Sequence, residues 1–200
     1  MQALNVEGNL NINQLTLYNL KLDEVVIGVN AISGRLDFSP IQANLYQGRY
    51  SGTVSLNTET GVPIASINSS LQNITIEPLM IDFMDASYAS GTGNLELSLT
   101  GSGVNTPGII SSLNGNGSIE LSDGILSGVD VGEVLKQVET MISSRRLLNV
   151  ARGEQTAFDN FTGTLEIRNG VVSSNDMLIE SPGFHVAGRG TLVDLNNDTI

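Results

Sequence analysis

The stretch Asn94-Leu-Glu-Leu-Ser-Leu99 has an apolar residue at every second position. Successive side chains of a β-strand point to opposite faces, so this alternation gives one apolar face and one polar face. The pattern is typical of antiparallel sheets, whereas parallel strands buried on both faces read as continuous apolar runs. The same period of two recurs over residues 4–12 and 164–168, so it indicates a sheet that extends through the chain.

Turn-forming pairs separate these alternating stretches at short intervals. They are Ser33-Gly34, Gln47-Gly48, Asn114-Gly115, Asp123-Gly124 and Asn169-Gly170. Asn-Gly and Asp-Gly supply the positive φ angles that tight hairpin turns require. The sequence therefore predicts a mainly β fold: an extended, curved antiparallel sheet built as a meander, in the form of a groove or an open barrel.

Three segments depart from the period of two. Asp130 and Glu133 form a capping box, and apolar residues at helical spacing follow, which predicts one amphipathic helix over about residues 131–148. Thr106 before Pro107 predicts a short helix over residues 107–113, and residues 77–84 are a third, shorter candidate. We expect each helix to cover an open end or an exposed apolar stretch of the sheet; binding of a partner is the alternative.

The composition limits both the core and the partners. Of the 200 residues 40% are apolar but only 4% are aromatic, so the core has to consist of Leu, Ile and Val. The net charge of −12 repels phosphate backbones and anionic membrane surfaces at long range. Nucleic acid is therefore a poor partner, and any contact with lipid has to be apolar. The chain has no Cys, which excludes disulfides and thiolate metal ligands.

Residues with catalytic potential are scarce. His185 is the only histidine, and the alternation places it on the polar side of its strand. The chain has no Gly-x-Ser-x-Gly motif, and no Gly-x-Gly pair continues into a nucleotide-binding fingerprint; such pairs indicate a bulge or a close approach of strands. We therefore predict a protein that is not an enzyme, with no catalytic residues, no metal site and no cofactor.

A series of short motifs follows in an order that is informative as a whole. They include Leu45-Tyr-Gln-Gly48, Gly91-Thr-Gly-Asn-Leu95, Ser112-Leu-Asn-Gly115, Gly128-Val-Asp130, Asn169-Gly170 and Gly188-Arg-Gly190. Together they resemble the C-terminal region of the AsmA family, from about residue 34 to the end of the chain. The resemblance implies a single β-rich domain over residues 1–200, as a fragment of a longer protein, and no catalytic motif.

The same resemblance implies a location and a role. AsmA-like proteins of Gram-negative bacteria are held in the inner membrane by an N-terminal helix, which would lie outside this chain, and extend into the periplasm. The family is linked to outer-membrane biogenesis and, in larger relatives, to transport of phospholipid along a β-groove. We therefore expect a module on the periplasmic side of the inner membrane, with phospholipid acyl chains as its ligands.

Acyl chains need only an apolar surface, so the alternating strands supply the candidate contacts. They are Leu95, Leu97, Leu99, Ile119, Leu121, Leu165 and Ile167. The same alternation also fits a plain closed core, and the residues alone leave that choice open. An alternative function is a scaffold that assists the assembly of outer-membrane proteins through sheet edges or through the helix over 131–148. A surface adhesin is a third possibility, which the irregular spacing of the repeats disfavours.

Overall fold

A computed structural model describes residues 5–59, 61–127 and 155–196, and in it ten antiparallel strands form one sheet. Each strand pairs only with the strands before and after it in the chain. The strands are β1 Val6–Leu17, β2 Leu20–Ile32, β3 Arg35–Leu45, β4 Gly48–Asn57, β5 Ile64–Thr75, β6 Thr92–Ser102, β7 Asn114–Ser127, β8 Gln155–Arg168, β9 Val171–Ser181 and β10 Phe184–Asp194. Because β1 and β10 do not pair, the sheet is not closed, and the predicted meander is confirmed.

Two short helices connect neighbouring strands. Helix α1, Ile76–Met84, joins β5 to β6, and α2, Thr106–Ser111, joins β6 to β7. Both short helices were predicted and are confirmed, although the N-cap of α2 is Asn105 rather than Thr106: its side-chain oxygen accepts a 2.8 Å hydrogen bond from the backbone N–H of Gly108. The amphipathic helix predicted over 131–148 lies outside the described residues.

Two of the predicted tight turns are confirmed. Ser33 and Gly34 have positive φ angles between β2 and β3, and Asn169 and Gly170 have them between β8 and β9. Two consecutive positive φ angles give the hairpin turn whose twist matches that of its strands.

Two further hairpin turns lie where the sequence signal is displaced or weak. The β3–β4 turn has its positive φ angles at Tyr46 and Gln47, one residue before the predicted pair, and Gly48 is already the first residue of β4. The β1–β2 turn uses Tyr18 and Asn19, with φ angles of 49° and 67°, and contains no glycine to signal it.

The remaining two predicted turns are wrong. Asn114 and Gly115 begin β7, because α2 already makes the connection from β6 and no tight turn is needed. Asp123 has the expected positive φ of 52°, but it lies inside β7, where it is skipped in the pairing with β8. The pairs Ser122–Asn160 and Gly124–Phe158 keep one register on both sides of Asp123, so a positive φ also occurs within a continuous strand and Asp123-Gly124 alone does not indicate a hairpin.

Deeply buried apolar side chains are concentrated at the strand ends beside the helices. Leu45, Ile74, Ala89, Leu121 and Phe158 lie at the end that α1 covers. Leu113 and Ile167 lie at the opposite end, beside α2. The middle of the sheet is only half-buried, so the residues that the structure describes form one layer of sheet closed off at its margins rather than two layers around a core.

Candidate functional site

One face of the sheet carries a row of residues that is apolar from the first strand to the last. Residues opposite each other in paired strands share a face, so the register can be followed across the sheet as a row. The row is Gly8, Val29, Phe38, Val54, Ile67, Leu99, Gly115, Ile167, Val172 and Val193. It has one residue in each of the ten strands and no polar side chain. We call the surface that carries this row the apolar face.

The seven candidate lipid contacts all lie on the apolar face. Three parallel rows cross β6, β7 and β8: Leu95–Ile119–Gly163, Leu97–Gly117–Leu165 and Leu99–Gly115–Ile167. Leu121 lies in the next row, opposite Gly93. The structure therefore brings together, on adjacent strands, residues that the sequence could only assign to separate strands.

The candidate contacts differ in burial. Leu121 and Ile167 are 7% and 3% exposed, because they lie near the helices at the strand ends. The other five are half-buried. Within the described residues α1 packs on β2 and β5 and α2 on β6, and no second layer covers the middle of the apolar face.

The apolar face is long compared with a lipid. Nine steps between ten strands, at about 4.8 Å each, give a length of roughly 43 Å. The hydrocarbon of one bilayer leaflet is roughly 15 Å thick, half of a typical core. An acyl chain lying across the strands would therefore contact only a few strands at a time.

Two glycines allow the leucines of β6 to lie over β7. A Cβ atom at Gly117 would lie 2.3 Å from the carbonyl oxygen of Glu96 and 2.7 Å from a methyl carbon of Leu97. At Gly115 it would lie 2.0 Å from the carbonyl oxygen of Ser98. Only glycine fits at these close approaches. Because Gly115 and Gly117 have no side chains, the apolar face is recessed at β7 between the side chains of β6 and β8.

A polar network secures α1 to the sheet. The Lys21 ammonium lies 2.9 Å from Oδ2 of Asp82, and the Tyr46 hydroxyl donates a 2.8 Å hydrogen bond to the same oxygen. These donors hold the pKa of Asp82 below its ordinary value. The carboxylate in turn raises the pKa of Lys21, and partial burial together with the hydrogen bond raises the pKa of Tyr46.

A second carboxylate supports an irregular part of the sheet. The backbone N–H and the hydroxyl of Thr164 each donate a 2.8 Å hydrogen bond to Asp176, and these bonds lower the pKa of that carboxyl. They lie where the register between β8 and β9 shifts. The perturbed pKa values of the chain thus have structural causes, and neither Asp82 nor Asp176 lies in a reactive cluster.

The described residues offer little to catalysis or metal binding. His185 is exposed, with Nδ1 3.4 Å from a carboxylate oxygen of Glu180 on the neighbouring strand. Across residues 5–59, 61–127 and 155–196, no group of three His, Asp or Glu side chains is close enough to hold a metal ion. No helix in the same ranges is long and apolar enough to cross a membrane.

Two features of the molecule have no signal in the sequence pattern. The Lys21–Asp82 pair joins residues 61 positions apart, and nothing in the local sequence of either residue indicates the other. A concavity of about 640 Å³ on the opposite face is lined by polar side chains of β4 to β7, with Pro40 and Ile41 of β3 at its border. Its serines, threonine and asparagines alternate with the apolar residues along the strands. The alternation therefore predicts that they share the polar face, but not that this face is concave.

The fold and the apolar face define the class: a single-layer antiparallel meander with one continuous apolar surface. The chain belongs to the AsmA family, whose sequence model matches residues 1–177. It is also similar to Protein AsmA of Escherichia coli (strain K12), with 22% identity over 196 residues that cover 96% of this chain and 31% of that protein. The chain thus spans about a third of the length of this relative, and no solved structure matches it.

Proposed function

We propose that this chain is a non-enzymatic module of a bacterial envelope protein, and that its apolar face contacts the acyl chains of phospholipids during outer-membrane biogenesis. One observation carries the proposal: the ten-strand row from Gly8 to Val193 contains no polar side chain, and no second layer of described residues covers its middle. Membership of the AsmA family supports the envelope location, on the periplasmic side of an inner membrane to which a segment outside this chain would anchor the protein.

The face suits passage of lipid better than tight binding. Burial of apolar area is favourable by about 25 cal/mol per Å² and has no direction, so every position along a uniform apolar row offers similar energy. A fixed polar contact would hold a lipid at one place. None interrupts the long row, so an acyl chain moved by one strand exchanges one set of aliphatic contacts for a similar one.

The charge of the chain is consistent with this mode of contact. With 21 acidic and 9 basic residues, the chain is repelled by anionic lipid headgroups at long range. Apolar contact is therefore the main attraction available between this chain and a phospholipid, and the headgroup would stay in water.

The test is lipid uptake by the detergent-free protein. Native mass spectrometry should show co-purified phospholipid, and the double variant Leu97→Asn/Leu99→Asn should bind a fluorescent phospholipid about tenfold more weakly, since two apolar contacts are replaced by amides. The matched control is Thr100→Asn, which adds an amide to the same strand on the polar face. Protein that is free of lipid and takes up none would refute the proposal.

A second function is favoured by one observation. β1 and β10 each pair on one side only, so among the described strands the sheet has two unpaired edges. Such edges can add a strand from another protein. On this alternative the chain is a scaffold for outer-membrane proteins; the helix over 131–148, which was the other candidate surface, lies outside the described residues.

Cysteine cross-linking distinguishes the two functions, because the chain has no native Cys. A photoreactive probe on Asn11→Cys, in β1, should capture an extended apolar-polar peptide of outer-membrane origin if the edge recruits strands. The same probe on Ser98→Cys, in the middle of the sheet, is the control. Equal capture at both positions, or none, would exclude the scaffold function, and the lipid proposal does not depend on the result.

A further inference from the structure

A concavity of the described sheet lies on the polar face, opposite the apolar row. It has a volume of about 640 Å³, crosses β4, β5, β6 and β7, and is bordered by Pro40 and Ile41 of β3. Its floor is the backbone of Gly52, Ser69, Leu97 and Gly117. Ligand pockets usually measure about 300–1,000 Å³. We call this concavity the polar trough.

Hydroxyl and amide groups line the polar trough in two parallel rows. One row is Thr53–Asn68–Ser98–Asn116, which the register places directly opposite one another on the four strands. The other row is Ser51–Ser70–Glu96–Ser118. No Lys, Arg or His lines the trough within the described structure, and the only charge is the Glu96 carboxylate.

Part of this lining is already ordered. The Ser98 hydroxyl donates to Oδ1 of Asn68 at 2.9 Å, and the Asn68 amide donates to the Thr53 hydroxyl at 3.4 Å. Asn116 and Ser118 have no hydrogen-bond partner for their side chains in the described part of the chain. The trough thus combines side chains held in place by hydrogen bonds with side chains whose donors and acceptors are not used by other described residues.

We propose that the polar trough binds a neutral glycan chain. Sugar hydroxyls both donate and accept hydrogen bonds, as do the hydroxyls and amides of the lining. Strands repeat at about 4.8 Å, so the rows present similar groups at each step, as a chain of sugar units does. The Glu96 carboxylate disfavours phosphorylated, sulfated or uronic-acid ligands.

The placement of the trough separates this ligand from a lipid. The sheet itself lies between the trough and the apolar face, so the headgroup of a lipid whose chains lie on the apolar face cannot reach Asn68 or Ser118. The ligand is therefore a soluble or polymeric glycan rather than the sugar of a bound glycolipid. This inference is independent of the proposed lipid contact.

Amide chemical-shift mapping with maltohexaose and with the hexasaccharide of N-acetylglucosamine tests the proposal on the 200-residue chain. At least one of these probes should shift amides of β4 to β7 around the trough. Thr53→Val and Ser118→Ala should each weaken that binding by about fivefold, the effect of one lost hydrogen bond. Thr100→Val, on the same face outside the trough, should leave it unchanged.

Three results would overturn the proposal. The first is that neither neutral probe causes shifts at millimolar concentration, and the second is that the shifts fall outside the trough. The third is that a hexamer of galacturonic acid binds as well as the neutral probes. Glu96→Gln adds a check on charge: it should keep the neutral glycan bound and reduce the discrimination against the acidic one. Phospholipid content, measured on the same variants, should not change, so failure here leaves the lipid proposal standing.

Discussion

Asp82 joins three segments that are distant in the sequence, since it accepts hydrogen bonds from Lys21 near the β1–β2 turn and from Tyr46 at the β3–β4 turn. Its lowered pKa means that the stabilisation is present above the ordinary aspartate pKa and is lost as the pH falls through the folded-state value. The raised pKa of Lys21 means that the contribution of the ammonium is lost only as the pH rises above its ordinary range.

We therefore predict that Asp82→Asn lowers the thermal midpoint most between about pH 5 and 9, with a difference that shrinks below about pH 4 and above about pH 10.5. Thermal unfolding followed by circular dichroism across this range measures it. The control is Asp85→Asn, at the C-cap of α1, where Asn tolerates the φ of 54° and no ion pair is lost. A difference that is constant with pH would contradict the assigned role.

Gly117 and Gly8 lie on the same face but in different surroundings. A methyl group at Gly117 meets the carbonyl oxygen of Glu96 at 2.3 Å, whereas nothing lies within 4 Å of one at Gly8. We predict that Gly117→Ala lowers the free energy of unfolding by about 1–3 kcal/mol. Gly8→Ala should change it by less than about 0.5 kcal/mol. Urea unfolding measures both free energies. Equal effects would mean that the loss of stability arises from strand propensity rather than from crowding at Gly117.

At the scale of elements, α2 depends on its N-cap residue, Asn105. A helix of six residues is too short to be stable alone, so its capping contact and its packing on β6 matter more than propensity. Asn105→Ala should cost about 1 kcal/mol in urea unfolding, and Asn105→Ser should retain most of that stability because the hydroxyl also caps. Equal losses in the two variants would show that the Asn105 side chain acts in some other way.

The elements also show where sequence reasoning succeeds and stops. Alternation such as Leu95, Leu97 and Leu99 identifies strands and their apolar sides because it depends only on the period of a strand. Which glycine faces which leucine depends on register, and the register is shifted at bulges such as that between Asp23 and Val26 in β2. A bulge and a hairpin use the same residue types, so local sequence does not separate them.

For the candidate site, the alternating pattern predicted which residues lie on the apolar face but not how deeply each of them is buried. Leu97 and Ile167 have similar sequence surroundings, yet one is half-buried and the other is 3% exposed. Ile167 lies near the strand end where the β8–β9 turn meets the end of α2, with the N–H of Gly170 donating to the carbonyl oxygen of Leu113, a contact between distant parts of the chain. The network around Asp82 escaped prediction for the same reason.

At the scale of the whole molecule, stability should be graded across the sheet. Every strand from β2 to β9 has two neighbours, whereas β1 and β10 have one, and nearly all of β1 is exposed. We predict that backbone amides of β5 to β8 exchange with solvent most slowly and those of β1 and β10 fastest, because local opening is easiest where few contacts hold a strand. Hydrogen exchange with mass spectrometry measures this; equal protection in all strands would indicate a fully cooperative sheet.

The pairing of each described strand with its predecessor also governs how the chain can be made. During synthesis the N-terminal part emerges first. β2 finds β1 already present, β3 finds β2, and no described strand has to wait for a partner that has not yet been translated. Loop closure is short at most steps, which favours rapid pairing. The nascent sheet thus exposes two edges at every stage, that of β1 and that of the newest strand, so the edge available for aggregation during synthesis does not grow with the number of strands.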